Sequence, residues 1–430
     1  MAGTAAGVGV GCFAGVVRAA EKVGIATAFD REVTAFMALR NIPGGAVAVV
    51  KGGRLVYAQG YGYADREAKT PVTPTALFRI ASVSKPFTGL AVLQLAAAGK
   101  LGLEDRVCDR LQLAPPAGGD ARWQSITLRH LLHHTGGWDR GISGDPMFQS
   151  LAIAKAVRVS APASGEAITK YQLGRPLDFA PGSGFAYSNF GYCLLGLVIE
   201  KVTGQPYADV VQELVLTPCG ITSMRLGASL AKGRLPGEVH YYLAKEEWAR
   251  PVFPQAGERV PWPMGGFYLE AMAAHGGWVA SAVDLVRLAA AMDGPRRADW
   301  LPAQVRDWLD EAPAAPVARG PDGSPADVHY GAGWWVRRLH RGGNSAPRLN
   351  RWHDGSLPGT SSLLVRRYDG VAWAAVFNQR SDDPAKPDGA IDAALHRAAD
   401  AVAEWPTGAA WPTSDSPGAP AAPNEGKSKE

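Results

Sequence analysis

The stretch FRIASVSKPFTG, residues 78–89, determines how this chain is interpreted, because it sets a hydroxyl and an amine close together. The apolar residues that follow Ser82 predict a helix that begins at Ser82 or just after it. Side chains three residues apart share a helix face, with Cβ atoms about 5–6 Å apart, so Lys85 can reach the Ser82 hydroxyl. The free N–H groups and the dipole of a helix N-terminus favour an oxyanion beside this serine. The stretch therefore indicates either a nucleophile with its activator or an ordinary capping serine followed by a lysine.

The composition is typical of a globular protein that binds a small molecule or a peptide. With 430 residues, 47% of them hydrophobic and 20% charged, the chain can bury a large core in one α/β unit or in two or three domains. The formal net charge of +4 is spread along the chain without Lys/Arg clusters, so nothing points to nucleic acid. Four cysteines, Cys12, Cys108, Cys193 and Cys219, form no C-x-x-C pair, and we expect them to pack as small apolar residues.

The N-terminus does not fit a secretory signal. Residues 1–17 are rich in Gly and Ala but carry no Lys or Arg ahead of an apolar run. No apolar run reaches the roughly 18 residues that span a bilayer. We expect a cytoplasmic protein with no membrane span by default, while a periplasmic or secreted location, N-terminal processing and the oligomeric state stay open.

Strand-like segments lie at both ends of the chain. An amphipathic helix predicted from Phe29 to about Arg40 precedes two β-like runs joined at Gly52-Gly53, which predict a hairpin. A second strand-rich region, over 330–378, precedes a closing helix, and the long stretch between the two regions consists mostly of predicted helices and loops. This order predicts an α+β fold. One antiparallel sheet flanked by helices is completed by the C-terminal segment, and a mainly helical lobe is inserted.

The same pattern predicts the domain organisation. We expect an N-terminal segment over 1–27, one domain over 28–404 and a tail over 405–430. Within the domain, the sheet region comprises 28–81 and 325–404, and the helical lobe comprises 82–324. The tail is rich in Pro, Ala and Ser, which predicts disorder.

Two further motifs give the Ser82 stretch a context. The S-x-x-K pattern occurs again at Ser229–Lys232, so the pattern alone is weak. Tyr187-Ser188-Asn189 forms a Y-x-N and His353-Asp354-Gly355 an H-x-G, in that order after Ser82. The three motifs resemble those of the serine β-lactamase and penicillin-binding-protein superfamily. The H-x-G, in place of the usual K-T-G, resembles the class C-like hydrolases that include family VIII carboxylesterases. The resemblance extends over about residues 28–404, and it favours Ser82 because no Y-x-N follows Ser229.

The resemblance implies a mechanism through an acyl-enzyme on Ser82. Lys85 and Tyr187 would relay the proton, and which of them takes it first stays open. Asn189 would bind the substrate's acyl-side carbonyl and steady Lys85. The oxyanion hole would use the backbone N–H groups of Ser82 and Ser356, the latter directly after Gly355. Plain structural roles also remain for three residues: an aromatic at a helix start (Tyr187), a cap (Asn189) and a hydrogen-bonding core residue (His353).

The histidine of the H-x-G bears on the substrate. In the resembling family the K-T-G lysine offers a fixed charge to a substrate carboxylate, whereas imidazole is mostly neutral at pH 7. We therefore expect a serine hydrolase that acts as a carboxylesterase on neutral esters, unless Arg337, Arg351 or Arg366 supplies the charge. The alternatives are a β-lactamase or D-amino-acid peptidase, an acyltransferase or macrocyclase, and a non-catalytic ligand-binding module. Five tryptophans in the expected cleft segments would line it or belong to the core: Trp138, Trp278, Trp334, Trp335 and Trp352.

Neither a metal nor a cofactor is expected. His130, His133 and His134 have helical spacing, but no H-E-x-x-H accompanies them. The GVGVG of residues 7–11 follows no strand and so does not fit a dinucleotide loop.

Overall fold

The chain begins with a helix and a β-hairpin. The computed structural model describes residues 23–293, 300–314, 317, 324, 326–339, 348–383, 385, 387–408 and 411. Its first elements are α1 (Ile25–Arg40), β1 (Gly44–Lys51), β2 (Arg54–Asp65) and β3 (Thr70–Pro71). The predicted hairpin is confirmed, because Gly52 and Gly53 join β1 to β2 with φ of 57° and 78°, a left-handed conformation that glycine adopts without steric cost.

A mainly helical lobe follows. It begins with β4 (Phe78–Arg79), a 3₁₀ turn (Ala81–Ser84) and α2 (Lys85–Ala97). The next helices are α3 (Val107–Leu111), α4 (Leu128–Leu132), α5 (Ser150–Val157), α6 (Gly165–Leu173), α7 (Asn189–Thr203) and α8 (Tyr207–Val211), which a π turn (Gln212–Leu216) extends. The lobe ends with β5 (Arg225–Leu226), β6 (Trp248–Ala249), β7 (Val260–Pro261), β8 (Trp278–Ala280), α9 (Ala282–Asp293) and α10 (Ala303–Leu309).

The C-terminal segment completes the sheet. It contains β9 (Val328–Tyr330), β10 (Trp335–Leu339), β11 (Arg348–Leu357), β12 (Thr360–Arg366), β13 (Val371–Phe377) and α11 (Ala390–Ala401). The main sheet has the order β3-β2-β1-β13-β12-β11-β10-β9, and every neighbouring pair is antiparallel. Because β1 pairs with β13, the two ends of the chain share one sheet, and the predicted α+β fold is confirmed.

The sheet separates two hydrophobic cores. Val47 and Val49 of β1 belong to the core under α1 and α11, whereas Ala46, Ala48 and Val50 belong to the core shared with the lobe. Both faces of β1 are thus covered, which explains why the strand is apolar along most of its length rather than alternating.

The structure extends several predicted boundaries. Helix α1 begins at Ile25 rather than Phe29, and Val23 forms a bridge with Val402, so Val23 and Ile25 pack on the domain whose predicted start is residue 28. At the other end Trp405, the first residue of the predicted tail, packs against the core under α1 and α11. We therefore propose a domain that includes both pieces. Residues 1–22 and 412–430, with the GVGVG motif, Cys12 and most of the tail, lie outside the described residues.

The lobe contains more strand than predicted. Strands β4, β8 and β5 form a small antiparallel sheet, and β6 pairs with β7. These strands are two or three residues long, too short to show a two-residue period in the sequence. In the part of the chain that is described, no helix combines the length and apolarity needed to cross a membrane.

Candidate active site

Ser82 lies in the turn that joins the small sheet of the lobe to α2. The helix itself begins at Lys85, three residues later than the earliest predicted start, because residues 81–84 form a 3₁₀ turn. Ala81, directly before Ser82, has a positive φ of 45°, a conformation that costs a non-glycine residue free energy and that is concentrated at functional sites. Ser82 is partly exposed, and the turn packs against β11 of the main sheet.

Lys85 is fully buried and reaches Ser82. Its Nζ lies 3.0 Å from the Oγ of Ser82, 2.8 Å from the Oδ1 of Asn189 and 3.0 Å from the carbonyl oxygen of His275. Burial lowers the pKa of Lys85 well below its usual value, since an ammonium loses hydration there; Asp145 opposes this shift and Arg140 adds to it. The amine is thereby brought towards its neutral, proton-accepting form.

Asn189 connects Lys85 to a carboxylate. It is the first residue of α7 and is buried, and its Nδ2 donates a 2.7 Å hydrogen bond to the Oδ2 of Asp145. Because the amide nitrogen is held by Asp145, the amide oxygen faces Lys85. The cap of α7 is Ser188, whose side chain accepts from the N–H of Gly191, so Asn189 does not have the capping role that its position allowed.

Tyr187 lies next to the serine and the lysine. Its ring is partly exposed, and the Nζ of Lys85 lies over it, 4.6 Å from the ring centroid. Its hydroxyl oxygen is buried and has no hydrogen bond of ordinary geometry. Burial raises the pKa of Tyr187 well above its usual value; the interaction of its hydroxyl with Ser82 lowers the pKa but does not outweigh burial. The phenol is therefore protonated at rest.

His353 is buried in β11, facing Tyr187. Its Nε2 lies 2.9 Å from the hydroxyl of Tyr330, its Nδ1 lies 2.6 Å from the carbonyl oxygen of Asp354, and its ring centroid is 6.1 Å from that of Tyr187. Burial lowers the pKa of His353 to about 4, although Asp354 partly opposes the shift. The imidazole is consequently neutral at pH 7 and carries no fixed charge.

Gly355 and Ser356 complete the stretch of β11 beside Ser82. A Cβ added at Gly355 would overlap the carbonyl oxygen of Ile80 and would lie 3.0 Å from the backbone nitrogen of Ser82. Strand β10 pairs with β11 only as far as Trp352. Beyond that point the 3₁₀ turn of Ala81–Ser84, which we call the serine turn, packs against β11. Ser356 is exposed and pairs with Ser361 of β12. The structure thus brings all seven predicted site residues to one region.

The second S-x-x-K has a structural role. The Ser229 hydroxyl is buried and donates a hydrogen bond to the Glu270 carboxylate, while Lys232 is exposed. No described contact joins the two side chains.

The three arginines considered as substitutes for the K-T-G lysine already contact other side chains. Arg351 forms an ion pair with Asp310, and Arg366 forms one with Asp293. Arg337 lies over the ring of Trp352, 5.1 Å from its centroid. A different arginine, Arg140, lies over the Tyr187 ring. Sequence reasoning missed Arg140, Asp145 and His275, which come from loops without a motif.

The three histidines with helical spacing, His130, His133 and His134, have different surroundings. The Nδ1 of His130 accepts the N–H of Thr127 in a helix cap, and the Nδ1 of His134 accepts the N–H of Ser188. His133 is buried, which lowers its pKa to about 3.

Elsewhere in the described residues, one group of side chains has metal-ligand spacing. Asp65, Glu67 and His240 place ligand atoms within 4.8 Å of one another. These groups are already paired: His240 lies 3.3 Å from Asp65, and Tyr242 donates to Glu67. The cluster is therefore explained without an ion.

The match to a known family covers most of the chain. Residues 29–398 match the family described as Beta-lactamase. The chain belongs to the beta-lactamase family. The resemblance inferred from the three motifs is thus confirmed.

The proteins that this chain is similar to include an esterase and an amidase. Penicillin-binding protein 4* of Bacillus subtilis (strain 168) is 28% identical over 364 residues, 82% of this chain and 71% of that protein. Esterase EstB of Burkholderia gladioli is 37% identical over 185 residues, 42% of this chain and 46% of EstB, so the match spans less than half of the esterase. A crystal structure of D-amino acid amidase from Ochrobactrum anthropi SV3 has a TM-score of 0.65 with 23% identity, covering 88% of this chain and 98% of the amidase. The protein is a serine hydrolase of this fold.

Proposed function

We propose that this serine hydrolase is a carboxylesterase that forms an acyl-enzyme at Ser82. The contact between the Nζ of Lys85 and the Oγ of Ser82, 3.0 Å in a site where the amine is desolvated, carries the proposal. A serine hydroxyl is a weak nucleophile until an adjacent base accepts its proton. Lys85 is such a base once burial has favoured its neutral form.

The partners of Lys85 determine which proton it handles. Asn189 Oδ1 and the His275 carbonyl can only accept hydrogen bonds, so a neutral amine directs its two N–H groups at them. Its lone pair then faces Ser82. In this arrangement Lys85 accepts the hydroxyl proton while Ser82 Oγ forms its bond to the acyl carbon of the ester.

Tyr187 is suited to deliver that proton to the leaving group. Its phenol is protonated at rest and lies beside both Ser82 and Lys85. The proton passes through the Lys85–Tyr187 pair to the alcohol oxygen as the acyl–oxygen bond breaks. Water then attacks the acyl-enzyme, gives its proton to the same pair, and the free acid leaves as Ser82 regains its hydrogen.

The remaining residues would orient the acyl group. We assign the oxyanion hole to the backbone N–H groups of Ser82 and Ser356, because the close approach of Gly355 brings β11 against the serine turn. Two preorganised donors of this kind commonly stabilise a transition state by several kcal/mol. Asn189, held by Asp145, would orient the substrate's acyl-side carbonyl as well as Lys85.

The neutral state of His353 supports a neutral substrate. A histidine with a pKa of about 4 offers no permanent cation to a carboxylate, and both Arg351 and Arg366 are already in ion pairs. An ester without a charged group therefore fits the side of the site that His353 forms, whereas Arg140 lies over the ring of Tyr187.

Aromatic side chains near the site would receive an apolar group. Phe185 is 39% exposed and lies 5.6 Å, between ring centroids, from the partly exposed Trp335, which stacks on Trp352. In contrast, Trp138, Trp278 and Trp334 are buried, so their role is in the core. The half-exposed aromatic residues favour esters with a bulky apolar acyl or alcohol portion.

The proposal is tested by parallel assays of purified protein with short-chain p-nitrophenyl esters and with nitrocefin. Ester turnover that is lost in Ser82→Ala, is retained in the matched Ser229→Ala and is insensitive to chelators supports it. Nitrocefin turnover at a comparable rate would overturn the assignment of substrate.

A D-amino-acid peptidase is the second candidate. The broad match to penicillin-binding protein 4*, over 82% of this chain, favours it. A D-amino-acid p-nitroanilide and its L-enantiomer, assayed beside the esters, distinguish this activity from simple ester hydrolysis. Stereoselective cleavage faster than ester turnover would replace our first proposal.

A further inference from the structure

Arg140 is a cation in the candidate site that belongs to none of the sequence motifs. Its Cζ lies over the Tyr187 ring, 5.1 Å from the ring centroid, and its side chain is exposed. The neighbouring Asp139 directs a carboxylate oxygen to the N–H of Gly141, 2.7 Å away. Among the described residues no carboxylate forms an ion pair with Arg140, so its charge is available to the ring beneath it.

The charge matters because another cation is missing. Where a K-T-G motif would bring a lysine, this chain has His353, whose buried imidazole has a pKa of about 4 and is neutral at pH 7. Lys85 must itself be neutral to act as a base. Without Arg140, none of the described residues would place a fixed positive charge over the Tyr187 ring while the Lys85–Tyr187 pair takes up the Ser82 proton.

We propose that Arg140 is a positioning residue that takes the place of this missing cation and keeps the Lys85–Tyr187 pair ready to accept a proton. A guanidinium over an aromatic face is attracted to it, and it stabilises a negative charge on the phenol oxygen. The same charge disfavours an ammonium at Lys85. The inference rests on the proposed function, since it assigns a role within the proton transfer of that site.

Several other groups act on the pair. The groups that contact the Tyr187 ring are Lys85 from α2, His134 after α4, Tyr330 from β9 and His353 from β11, and the charges of Asp354 and Tyr192 also act on its hydroxyl. Burial raises the pKa of Tyr187 most, Asp354 and Tyr192 raise it further, and Arg140 lowers it. For Lys85, burial lowers the pKa most, Asp145 and Asp354 raise it, and Arg140 lowers it. Arg140 thus acts on both members in the direction that favours the unprotonated form, and an unprotonated Lys85 is the form that can accept the Ser82 proton.

The test compares three variants of the full-length protein. Arg140→Met keeps an apolar stem over the ring but removes the charge, and Arg140→Lys keeps the charge. Arg337→Met is the matched control, because Arg337 is also an exposed arginine over an aromatic ring, that of Trp352. The readout is the pH dependence of kcat/KM for a p-nitrophenyl ester, on the limb where activity rises with pH.

A second readout does not depend on ester turnover. A fluorophosphonate probe labels an activated serine: the Ser82 Oγ–phosphorus bond forms, the phosphorus–fluorine bond breaks, fluoride leaves and the serine proton passes to the pair. The labelling rate is followed by intact mass over the same pH range as the ester assay.

We expect Arg140→Met to move the rising limb of both profiles to higher pH by about half a unit, as one screened charge at this distance would do. On the limb itself this is a loss of about threefold. Arg140→Lys and Arg337→Met should keep the wild-type limb. An unmoved limb in Arg140→Met overturns the inference. So does a loss restricted to anionic esters with the limb unmoved, which would assign Arg140 to substrate recognition.

The two proposals fail separately. Labelling of Ser82 with a limb displaced in Arg140→Met, but without ester turnover by the wild type, overturns the esterase and supports the role of Arg140. Ester turnover by the wild type with an unmoved limb in Arg140→Met supports the esterase and overturns the role of Arg140. If the wild type shows neither labelling nor turnover, both proposals are wrong.

Discussion

Gly355 of β11 lies against the backbone of Ser82, close enough that a Cβ at 355 would be 3.0 Å from the Ser82 nitrogen. The same Cβ would overlap the carbonyl oxygen of Ile80 and the Oγ of Ser362. The strand and the serine turn can therefore meet only if residue 355 has no side chain. This contact sets the distance between the two proposed oxyanion donors.

We expect Gly355→Ala to separate β11 from the serine turn. Because backbone atoms have to move, the change should destabilise the protein by about 1–3 kcal/mol, as overpacking does, and should reduce kcat/KM at least a hundredfold, the usual effect of losing an oxyanion donor. Gly389→Ala is the matched control, since a Cβ there meets nothing within 4 Å. Equal activities of the two variants would contradict this account of the oxyanion hole.

Asp145→Asn should move the pH profile in the direction opposite to Arg140→Met. The side-chain oxygen of an asparagine at 145 can still accept the hydrogen bond that Asn189 donates at 2.7 Å. The negative charge that raises the pKa of Lys85 is lost. The neutral amine then persists to lower pH. The rising limb of kcat/KM should shift to lower pH, and Asp139→Asn, in the same loop, should not shift it. A limb displaced to higher pH would show that the charge of Asp145 does not act on Lys85.

The serine and lysine of this site could be predicted from sequence because their relation is local. Their three-residue spacing on one turn fixes the contact wherever the helix lies. Tyr187, Asn189 and His353 could be added only through motif order, since their side chains reach the site through tertiary packing. For β1 and β13 the apolar runs identified the strands, but the pairing of the two chain ends was visible only as a topological expectation.

Other parts of the site carry no sequence signal. Asp145 precedes Asn189 by 44 residues, and it meets the amide because the loop before α5 folds back on the start of α7. The carbonyl of His275 belongs to the backbone, which no side-chain pattern reports. The sequence predicts the start of α2 only as Ser82 or just after it, and the helix begins at Lys85, because a 3₁₀ turn precedes it and leaves no separate signal in the sequence.

Tyr207→Phe should destabilise the core behind the site. The Tyr207 hydroxyl accepts from the Nε1 of Trp278 at 3.0 Å and lies 2.7 Å from the Oγ1 of Thr88, all of them buried. Without the hydroxyl, the tryptophan N–H is left without its acceptor, which should lower the free energy of unfolding by about 1–3 kcal/mol. Urea denaturation measures the change. Tyr368→Phe, at an exposed position, should have little effect, and a similar loss in both variants would contradict this explanation.

Buried His133 should make the protein less stable in acid. Burial lowers its pKa to about 3, so below its ordinary value the unfolded chain takes up a proton that the folded chain does not. Stability is retained at neutral pH and falls as the pH decreases from the ordinary histidine pKa of about 6.5, by up to about 1.4 kcal/mol per pH unit. In His133→Gln this share of the pH dependence should disappear from urea denaturation curves measured at several pH values. An unchanged slope would assign the acid sensitivity to other groups.

The most direct test of the central claim is to trap the acyl-enzyme and locate it. The protein is mixed with a p-nitrophenyl ester, quenched in acid during turnover and digested, and the modified peptide is identified by mass spectrometry. We predict an added acyl mass on Ser82, absent from Ser82→Ala and present in Ser229→Ala. An acyl group on any other side chain, or steady ester turnover by Ser82→Ala, would contradict the assignment of Ser82 as the nucleophile.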